Sequence, residues 1–434
     1  MHIPYTKHVL ANGLTVLIHE DHRCPIVGVN LWYHVGSKNE QPGRTGFAHL
    51  FEHLMFEGSE HYDHGYFEPL QRAGAVLNGS TNTDRTNYWE VVPANSLELA
   101  VWMESDRMGH LLPALTDEKF RNQRDVVLNE RRQNYENRPY GMTVMALMGA
   151  LFPSDHPYHW PTIGSPDDLH AATLDEVRAF FDRYYHPANA SLALAGDVTP
   201  DAALSLVDAY FGPIATGPSV APVLCESVLP GEVRLVLEDR VELARLYACY
   251  LSPAIFTPGD ADLDLFAYLL ADGKSSRLYK RMVYEHRIAT DVSAAQQSRE
   301  LTGFFQLAAT AAPGHGLAEL DEAVGSELAR FAAEGPTADE MDRGLAQAEA
   351  QFVYRVQTVG GFGGKSDLLN QYNVLLGDPG YVDRDLARYR EATAASVQAA
   401  AARFVVGGPR VVVSVVPRGR LDLALPDSTK VVCS

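Results

Sequence analysis

Two stretches of the sequence carry the same pattern, and this internal repeat restricts the fold more than any other feature. The segment 173–184 matches the segment 393–404 in the positions of its threonine, valine and arginine residues. An apolar stretch follows each of them, at residues 190–195 and 411–416. Self-similarity of this kind indicates two copies of one structural unit. We therefore predict that the chain consists of two homologous halves.

The repeat leads to predicted domain boundaries and a predicted fold class. A stretch rich in proline and glycine, residues 212–222, separates the halves and is typical of a linker. We predict an N-terminal domain of residues 1–214, a linker of residues 215–231 and a C-terminal domain of residues 232–434. Each half shows strands, helices, further strands and a closing helix and strand. This order predicts an α+β fold with mixed or antiparallel sheets and helices on one side of each sheet.

An apolar stretch in the first half, residues 46–56, contains His49, Glu52 and His53 and no helix breaker. On a helix the two histidines lie about 40° apart around the axis and about 6 Å along it, so both can reach one metal ion. Glu52 lies on the flank of that face, where a carboxylate can act on water. The order His-x-x-Glu-His is the inverted zincin motif. The alternative is that the two histidines are ordinary surface or core residues.

Two histidines leave a zinc site incomplete, so the chemistry requires a third, anionic ligand. Spacing alone does not choose among the acidic candidates, which are Glu57, Glu60, Glu104, Asp106 and Glu130. At the corresponding place the second half has residues 269–273, which include no histidine. Only the first half can therefore bind a metal through this motif.

Charge and composition exclude several classes of protein. The chain has 434 residues, of which 46% are hydrophobic, so it can form a sizeable core. Its net charge is −19 and it has no basic run, which argues against a nucleic-acid partner. No apolar run is long enough to span a membrane. Because the first residues lack an export signal, we expect a cytoplasmic protein, or a periplasmic one if a signal was removed.

Two further segments carry structural predictions. The polar stretch that starts at Asn78 and continues to residue 92 is extended in character and polar on both faces, so it predicts an edge strand. A glycine cluster at residues 360–364 is followed by Lys365 and Ser366, but it lacks the spacing of a phosphate-binding loop. We predict a break between two helices there.

The motifs together resemble the pitrilysin and insulysin type of zinc metallopeptidase, most closely short bacterial members similar to subunits of the mitochondrial processing peptidase. The resemblance covers essentially the whole chain and rests on residues 49–53, 78–81 and 126–130. It implies that one Zn²⁺ per chain is held by His49, His53 and Glu130, with Glu52 as the base. It also implies a substrate-binding strand formed by Asn78, Gly79, Ser80 and Thr81.

The resemblance implies a fold and an activity as well. The fold is two ferredoxin-like α+β domains per chain, and two such chains enclose a chamber in which peptides are cut. The implied activity is that of a zinc metalloendopeptidase that hydrolyses peptides or unfolded protein segments. The substrate would bind as an added β-strand.

The sequence departs from the family pattern at two places. Gln123 replaces a glutamate that commonly supports the metal site, and an amide cannot add negative charge there. Val283 and Thr290 stand where complete members have an arginine and a tyrosine. We therefore expect a homologous subunit to supply these groups in a heterodimer, with a homodimer as the alternative. The remaining alternatives are a non-catalytic assembly or core subunit and a structural or sensory zinc site.

Overall fold

The computed structural model describes residues 1–433, which form two compact units with one six-stranded sheet each. Both units are assembled from separate stretches of the chain. The first contains Met1–Asn129, Thr162–Val223 and Gln351–Arg384. The second contains Glu130–Pro161, Leu224–Ala350 and residues 385–433. The division into residues 1–214, a linker of residues 215–231 and residues 232–434 rests on the repeat in the sequence, and it stays a prediction.

The first unit contains a mixed sheet with the strand order β1-β2-β6-β3-β5-β4. The strands are β1 (Thr6–Val9), β2 (Thr15–Glu20), β3 (Ile26–Tyr33), β4 (Val76–Thr81), β5 (Thr86–Pro93) and β6 (Ala190–Gly196). Only the pairing of β2 with β6 is parallel among these strands. Strand β4 therefore lies at one edge of the sheet, and β5 separates it from β3.

Most helices of the first half belong to the first unit. They are α1 (Phe47–Leu54), α2 (Phe67–Arg72), α3 (Leu97–Ala114), α4 (Asp117–Arg131), α6 (Pro166–Ala171), α7 (Leu174–Tyr184) and α8 (Pro200–Phe211), whereas α5 (Thr143–Leu151) belongs to the second unit. A π-helical turn, Arg132–Glu136, follows α4.

The sheet of the second unit has the strand order β12-β7-β11-β8-β10-β9, in which the last five strands repeat the arrangement β2-β6-β3-β5-β4 of the first unit. The sixth strands differ, because β12 pairs in parallel with β7 whereas β1 pairs antiparallel with β2. Its strands are β7 (Val233–Asp239), β8 (Arg245–Ser252), β9 (Ala289–Gln297), β10 (Gly303–Ala311), β11 (Val411–Pro417) and β12 (Thr429–Lys430). The remaining helices of the chain are α9 (Asp260–Ala271), α10 (Leu317–Glu334), α11 (Ala338–Arg355), α12 (Lys365–Leu376), α13 (Val382–Arg390) and α14 (Ala394–Phe404). Strand β7 pairs in parallel with β11, as β2 does with β6. The predicted α+β class with two mixed sheets is confirmed.

The repeated segments fold in the same way in both units. Thr173 and Thr393 are the N-cap residues of α7 and α14, and each forms a capping box with the residue three positions later. The threonine hydroxyl accepts a hydrogen bond from that residue's backbone N–H, and the side chain of that residue accepts one from the threonine backbone N–H. The threonine that marks the repeat in the sequence thus fixes where each helix begins.

Helices cover both faces of each sheet, so the prediction of helices on one side is wrong. In β11, Val412 and Val416 pack into the core formed with α9, α10 and α14. The alternating residues Val411, Val413 and Val415 pack instead with α5. Strands that are apolar on both faces need cover on both faces.

On one face of each sheet, the helix that covers the strands comes from the other half of the sequence. Helix α5 comes from the first half and packs on β11 of the second unit, whereas α12 comes from the second half and packs on β3 and β6 of the first unit. Polar contacts fix α12 in place. Asp367 accepts a hydrogen bond from the Trp32 indole N–H at 2.7 Å, and the Asn370 amide donates to the Asn30 carbonyl at 2.8 Å.

The polar stretch predicted as one edge strand is a hairpin. Its first arm is the edge strand β4, and its second arm, β5, lies inside the sheet. The turn forms because the Asn82 side-chain oxygen accepts hydrogen bonds from the backbone N–H groups of Asp84 at 2.7 Å and Arg85 at 2.9 Å. Such an Asx turn competes with an extended strand. The prediction of an edge strand holds for residues 76–81 alone.

The glycine cluster is a break between α11 and α12, as predicted. A Cβ atom on Gly28 of β3 would lie 2.8 Å from the Cα atom of Gly360, so both positions require glycine for the loop to approach the strand. Among residues 1–433, none of the helices combines the length and the apolar character that a membrane crossing requires.

Candidate metal centre

Helix α1 is amphipathic, with the residues of the metal motif on one side and apolar residues on the other. The buried residues of the helix are Phe47, Ala48, Leu50, Phe51 and Leu54. Packing of this apolar face leaves His49, Glu52 and His53 on the half-buried side. The spacing in the sequence therefore places all three polar groups on one side of α1.

The start of α1 is held by a carboxylate and a glycine. Glu40 accepts hydrogen bonds from the backbone N–H groups of Gly46 at 3.0 Å and Ala48 at 2.8 Å, which satisfies donors that the first turn leaves open. Gly46 has φ of 90°, a left-handed conformation that favours glycine. These contacts fix the position of the helix that carries the histidines.

His49 and His53 lie side by side with ring centroids 4.9 Å apart and ring planes at 89°. Burial, together with the neighbouring His53, lowers the pKa of His49 to about 3. Its imidazole is therefore neutral near pH 7, and a neutral imidazole is the form that binds a metal ion.

Helix α4 brings Glu130 to the two histidines. Ligand atoms of His49, His53 and Glu130 all lie within 4.8 Å of one another. Glu130 belongs to the last turn of α4, which runs from Asp117 to Arg131. Two imidazole nitrogens and one carboxylate oxygen form a donor set that suits Zn²⁺ and leaves a position open.

The other acidic candidates have different neighbours. Glu57 accepts a hydrogen bond from the Gln123 amide, and Glu104 forms an ion pair with Arg107. Asp106 bonds to His61, and Glu60 contacts His110. Of the five carboxylates left open by spacing, only Glu130 shares a cluster with His49 and His53 among the described residues.

Gln123 lies on α4 two helical turns before Glu130, on the same side of the helix. Its amide donates to Glu57, a residue that follows α1. Gln123 therefore links α4 to the segment after the metal motif. This contact holds two elements of the site together without adding a charge to it.

The predicted substrate strand lies at an open sheet edge next to α1. Asn78, Gly79, Ser80 and Thr81 form the second part of β4, and α1 packs against this strand. A Cβ atom on Gly79 would lie 3.0 Å from the Tyr88 ring and 3.1 Å from the Phe56 ring. Glycine at this position therefore lets two aromatic rings approach the strand.

Arg85 is a candidate site residue that the sequence analysis missed. Its guanidinium donates to the Ser80 carbonyl at 2.9 Å and to the Ser80 hydroxyl at 2.6 Å. Burial lowers the pKa of Arg85, whereas the charges of Asp367 and Glu52 act in the opposite direction. Arg85 thus holds the edge strand through Ser80, and its positive charge interacts with the carboxylate of Glu52. No spacing rule marks a single arginine in a polar turn.

A buried charge cluster lies behind the hairpin. The Arg107 guanidinium forms a bidentate ion pair with Glu104 and sits 4.0 Å from the ring centroids of both Tyr66 and Tyr88. Burial raises the pKa of the neighbouring Glu90, and the charge of Glu104 raises it further. Tyr88 belongs to β5, so this cluster supports the strand that pairs with β4.

Val283 and Thr290 lie in the second unit and provide neither of the groups that the family pattern has there. Val283 packs against the hydrophobic core, and Thr290 is exposed on β9 at the edge of the second sheet. A valine has no polar atom, and a threonine hydroxyl is neither a cation nor a phenol.

Comparison with known proteins agrees with this fold and this motif. Residues 15–156 match the family described as Insulinase (Peptidase family M16), and residues 171–348 match the one described as Peptidase M16 inactive domain. Zinc protease PqqE of Helicobacter pylori is 29% identical over 355 residues, which cover 80% of this chain and 79% of that protein. An uncharacterized zinc protease of Streptomyces coelicolor is 26% identical over 387 residues, which cover 87% and 82%.

Solved structures have the same architecture. A protease from Helicobacter pylori superposes with a TM-score of 0.88 at 25% identity, over 96% of this chain and all (100%) of that one. The first half of the periplasmic protease PqqL from Escherichia coli superposes with a TM-score of 0.76, over 95% of this chain and 92% of that one. At 18% identity this likeness shows the fold alone. The family models, the named zinc protease relatives and the shared fold agree. The chain belongs to peptidase family M16.

Proposed function

We propose that this protein is a zinc-dependent endopeptidase that cuts peptides or unfolded protein segments. The observation that carries the proposal is the convergence of His49, His53 and Glu130, with Glu52 on the same helix as the histidines. A structural zinc site would normally fill all four positions with protein ligands. Three protein ligands beside an acidic residue favour hydrolysis.

His49, His53 and Glu130 would hold the ion. When bound, Zn²⁺ supplies a Lewis acid that polarises a scissile carbonyl and makes water a better nucleophile. Burial keeps the His49 imidazole neutral, which leaves its lone pair available to the ion. Gln123 and Glu57 join α4 to the segment after α1, so they would keep Glu130 close to the histidines.

Glu52 would act as the general base and then as the general acid. Its carboxylate would accept a proton from the attacking water and deliver it to the nitrogen of the leaving amine. Arg85 lies within electrostatic reach of Glu52 and would favour the ionised carboxylate that this role requires. The first proton transfer depends on that ionised state.

Strand β4 would bind the substrate as an added β-strand. It lies at the edge of the sheet and packs beside the helix that carries the metal motif. Edge strands offer backbone N–H and C=O groups to a second strand. In this mode the main chain supplies affinity, and pockets for alternate side chains supply preference.

We expect recognition to depend on the substrate backbone more than on its sequence. Unrelated extended peptides should compete with one another, and a compact protein should resist cleavage while its unfolded chain is cut. N-methylation of one strand-pairing amide should weaken competition roughly fivefold, because a hydrogen bond contributes about 1 kcal/mol. The measurement is inhibition of a fluorogenic peptide assay by methylated and unmethylated forms of the same peptide. Equal cleavage of the native protein and its unfolded chain would contradict the proposal.

We also propose that a homologous chain completes the site. Hydrolysis develops negative charge on the carbonyl oxygen, which a tyrosine hydroxyl or an arginine would stabilise. Val283 and Thr290 supply neither group, so these groups would come from a second chain in a heterodimer or, with lower activity, a homodimer. The same two residues favour the alternative of a non-catalytic core subunit, whereas the intact cluster of His49, His53 and Glu130 opposes it.

Addition of a homologous chain that carries the arginine and tyrosine should raise cleavage strongly. One donor to a developing oxyanion contributes about 10²–10³-fold in kcat, so the increase should be of that order. The assay compares this chain alone, the homologous chain alone and the mixture at equal concentrations. Full activity of this chain alone, unchanged by the second chain, would show that Val283 and Thr290 are no handicap.

A further inference from the structure

We infer that a second divalent-metal site lies in the first unit, formed by Glu60, His61 and His110. Ligand atoms of these three residues all lie within 4.8 Å of one another. None of them belongs to the cluster around His49. Two imidazoles and a carboxylate suit a borderline cation such as Zn²⁺, Ni²⁺ or Cu²⁺, and they do not suit Mg²⁺ or Ca²⁺.

One separation within this second site is close to that between two ligands of one metal ion. The carboxylate Oε2 of Glu60 lies 3.1 Å from the Nδ1 of His110, and the ring centroids of His61 and His110 are 4.6 Å apart. In a tetrahedral site with bonds of about 2.0 Å, neighbouring ligand atoms lie about 3.3 Å apart. The hydrogen-bonded atoms of Glu60 and His110 are close to that separation, so an ion could replace the proton between them with little movement of the two groups.

The backbone fixes both sides of the second site. His110 has φ of −135° and ψ of 22° inside α3, where the helix kinks shortly before Pro113. The kink turns the His110 carbonyl outward, and it accepts a hydrogen bond from the Glu60 backbone N–H at 2.9 Å. A bridge between Ser59 and Tyr62 closes the loop that carries Glu60 and His61. These backbone contacts therefore fix the positions from which the Glu60, His61 and His110 side chains extend.

Asp106 orients one of the imidazoles towards an ion. Its carboxylate accepts a hydrogen bond from the Nδ1 of His61 at 2.6 Å, and the Asp106 side chain is only 4% exposed. With the proton on Nδ1, the Nε2 of His61 presents its lone pair. A buried carboxylate behind a ligating histidine is the arrangement that fixes the tautomer in metal sites. This contact is independent of the spacing between the three ligands.

The second site opens onto a cavity of about 650 Å³ lined by His61, Asp106 and His110 together with apolar side chains. Water or a small ligand can therefore reach the coordination positions that the three residues leave open. A bound ion would join the loop that follows α1 to helix α3. The expected effect is a more stable loop next to the proposed catalytic helix.

Zinc titration of the full chain tests the second site. Equilibrium dialysis with Zn²⁺ alone should give about two ions per chain in the wild type, the second at higher free zinc, and about one in His61→Ala and His110→Ala. Asp106→Asn should weaken the second site about 10- to 100-fold and leave the first unchanged. The matched control is His64→Ala, because His64 is an exposed histidine of the same loop outside the cluster.

His49→Ala distinguishes the two sites, since it should lose the first ion and keep the second. Circular dichroism shows whether each variant is folded, and Glu60→Gln offers a milder change should an alanine variant unfold. Binding of a single zinc by the wild type at saturating zinc would overturn the inference. Two zinc ions in folded His61→Ala and Glu60→Gln would overturn it as well.

Discussion

Replacement of Glu52 by glutamine is expected to lower the rate of peptide cleavage strongly while zinc stays bound. The amide keeps the size of the side chain but cannot accept the proton of the attacking water. General base catalysis contributes about 10²–10⁴-fold, so the rate should fall by that order. His49, His53 and Glu130 are untouched, so the protein should keep its zinc. The measurements are kcat with an unfolded peptide and zinc content by atomic emission.

A matched control separates this effect from a general loss of charge. Glu68 is an exposed glutamate of α2 that pairs with Arg72, so Glu68→Gln should cleave at the wild-type rate. Zinc-loaded Glu52→Gln that cleaves like the wild type, with a homologous partner present, would contradict the role of Glu52.

Arg107→Ala is expected to destabilise the protein by about 3–5 kcal/mol. Arg107 and Glu104 are 1% and 0% exposed, so the substitution leaves a carboxylate buried without its cation. It also removes the group between the rings of Tyr66 and Tyr88. Because Tyr88 supports the hairpin, the loss should appear in the free energy of unfolding and in substrate affinity.

Chemical denaturation of Arg107→Ala and the wild type measures this loss. The control is Arg121→Ala, which removes an exposed arginine that pairs with Asp117 on α4. An exposed pair of this kind contributes at most about 1 kcal/mol. If Arg107→Ala and Arg121→Ala proved equally stable, the buried ion pair would not support the hairpin.

The sequence was sufficient to predict the repeated fold because the repeat has a physical basis. Thr173 and Thr393 cap equivalent helices, and the strands that follow them pair in parallel with β2 and β7. Local signals of this type survive in the sequence because capping depends on a few adjacent residues. The spacing of His49, Glu52 and His53 predicted their common face for the same reason.

Features that depend on distant contacts could not be predicted from local patterns. The exchange of α5 and α12 between the halves is visible only in the packing of β11 and β3. The choice of Glu130 among the acidic candidates depends on where α4 lies relative to α1. Arg85 was missed because its contacts with Ser80 arise from a turn that was predicted as part of a strand.

The most direct test of the proposed zinc peptidase is to return zinc to metal-depleted protein while peptide cleavage is measured. With a homologous partner present, cleavage should be absent without zinc and should reach its full rate at about one zinc per chain. Glu130→Ala should stay inactive over the same range, whereas Glu118→Ala, an exposed change on the same helix, should follow the wild type. Cleavage at the full rate by the metal-depleted protein, or by Glu130→Ala without bound zinc, would contradict the proposal.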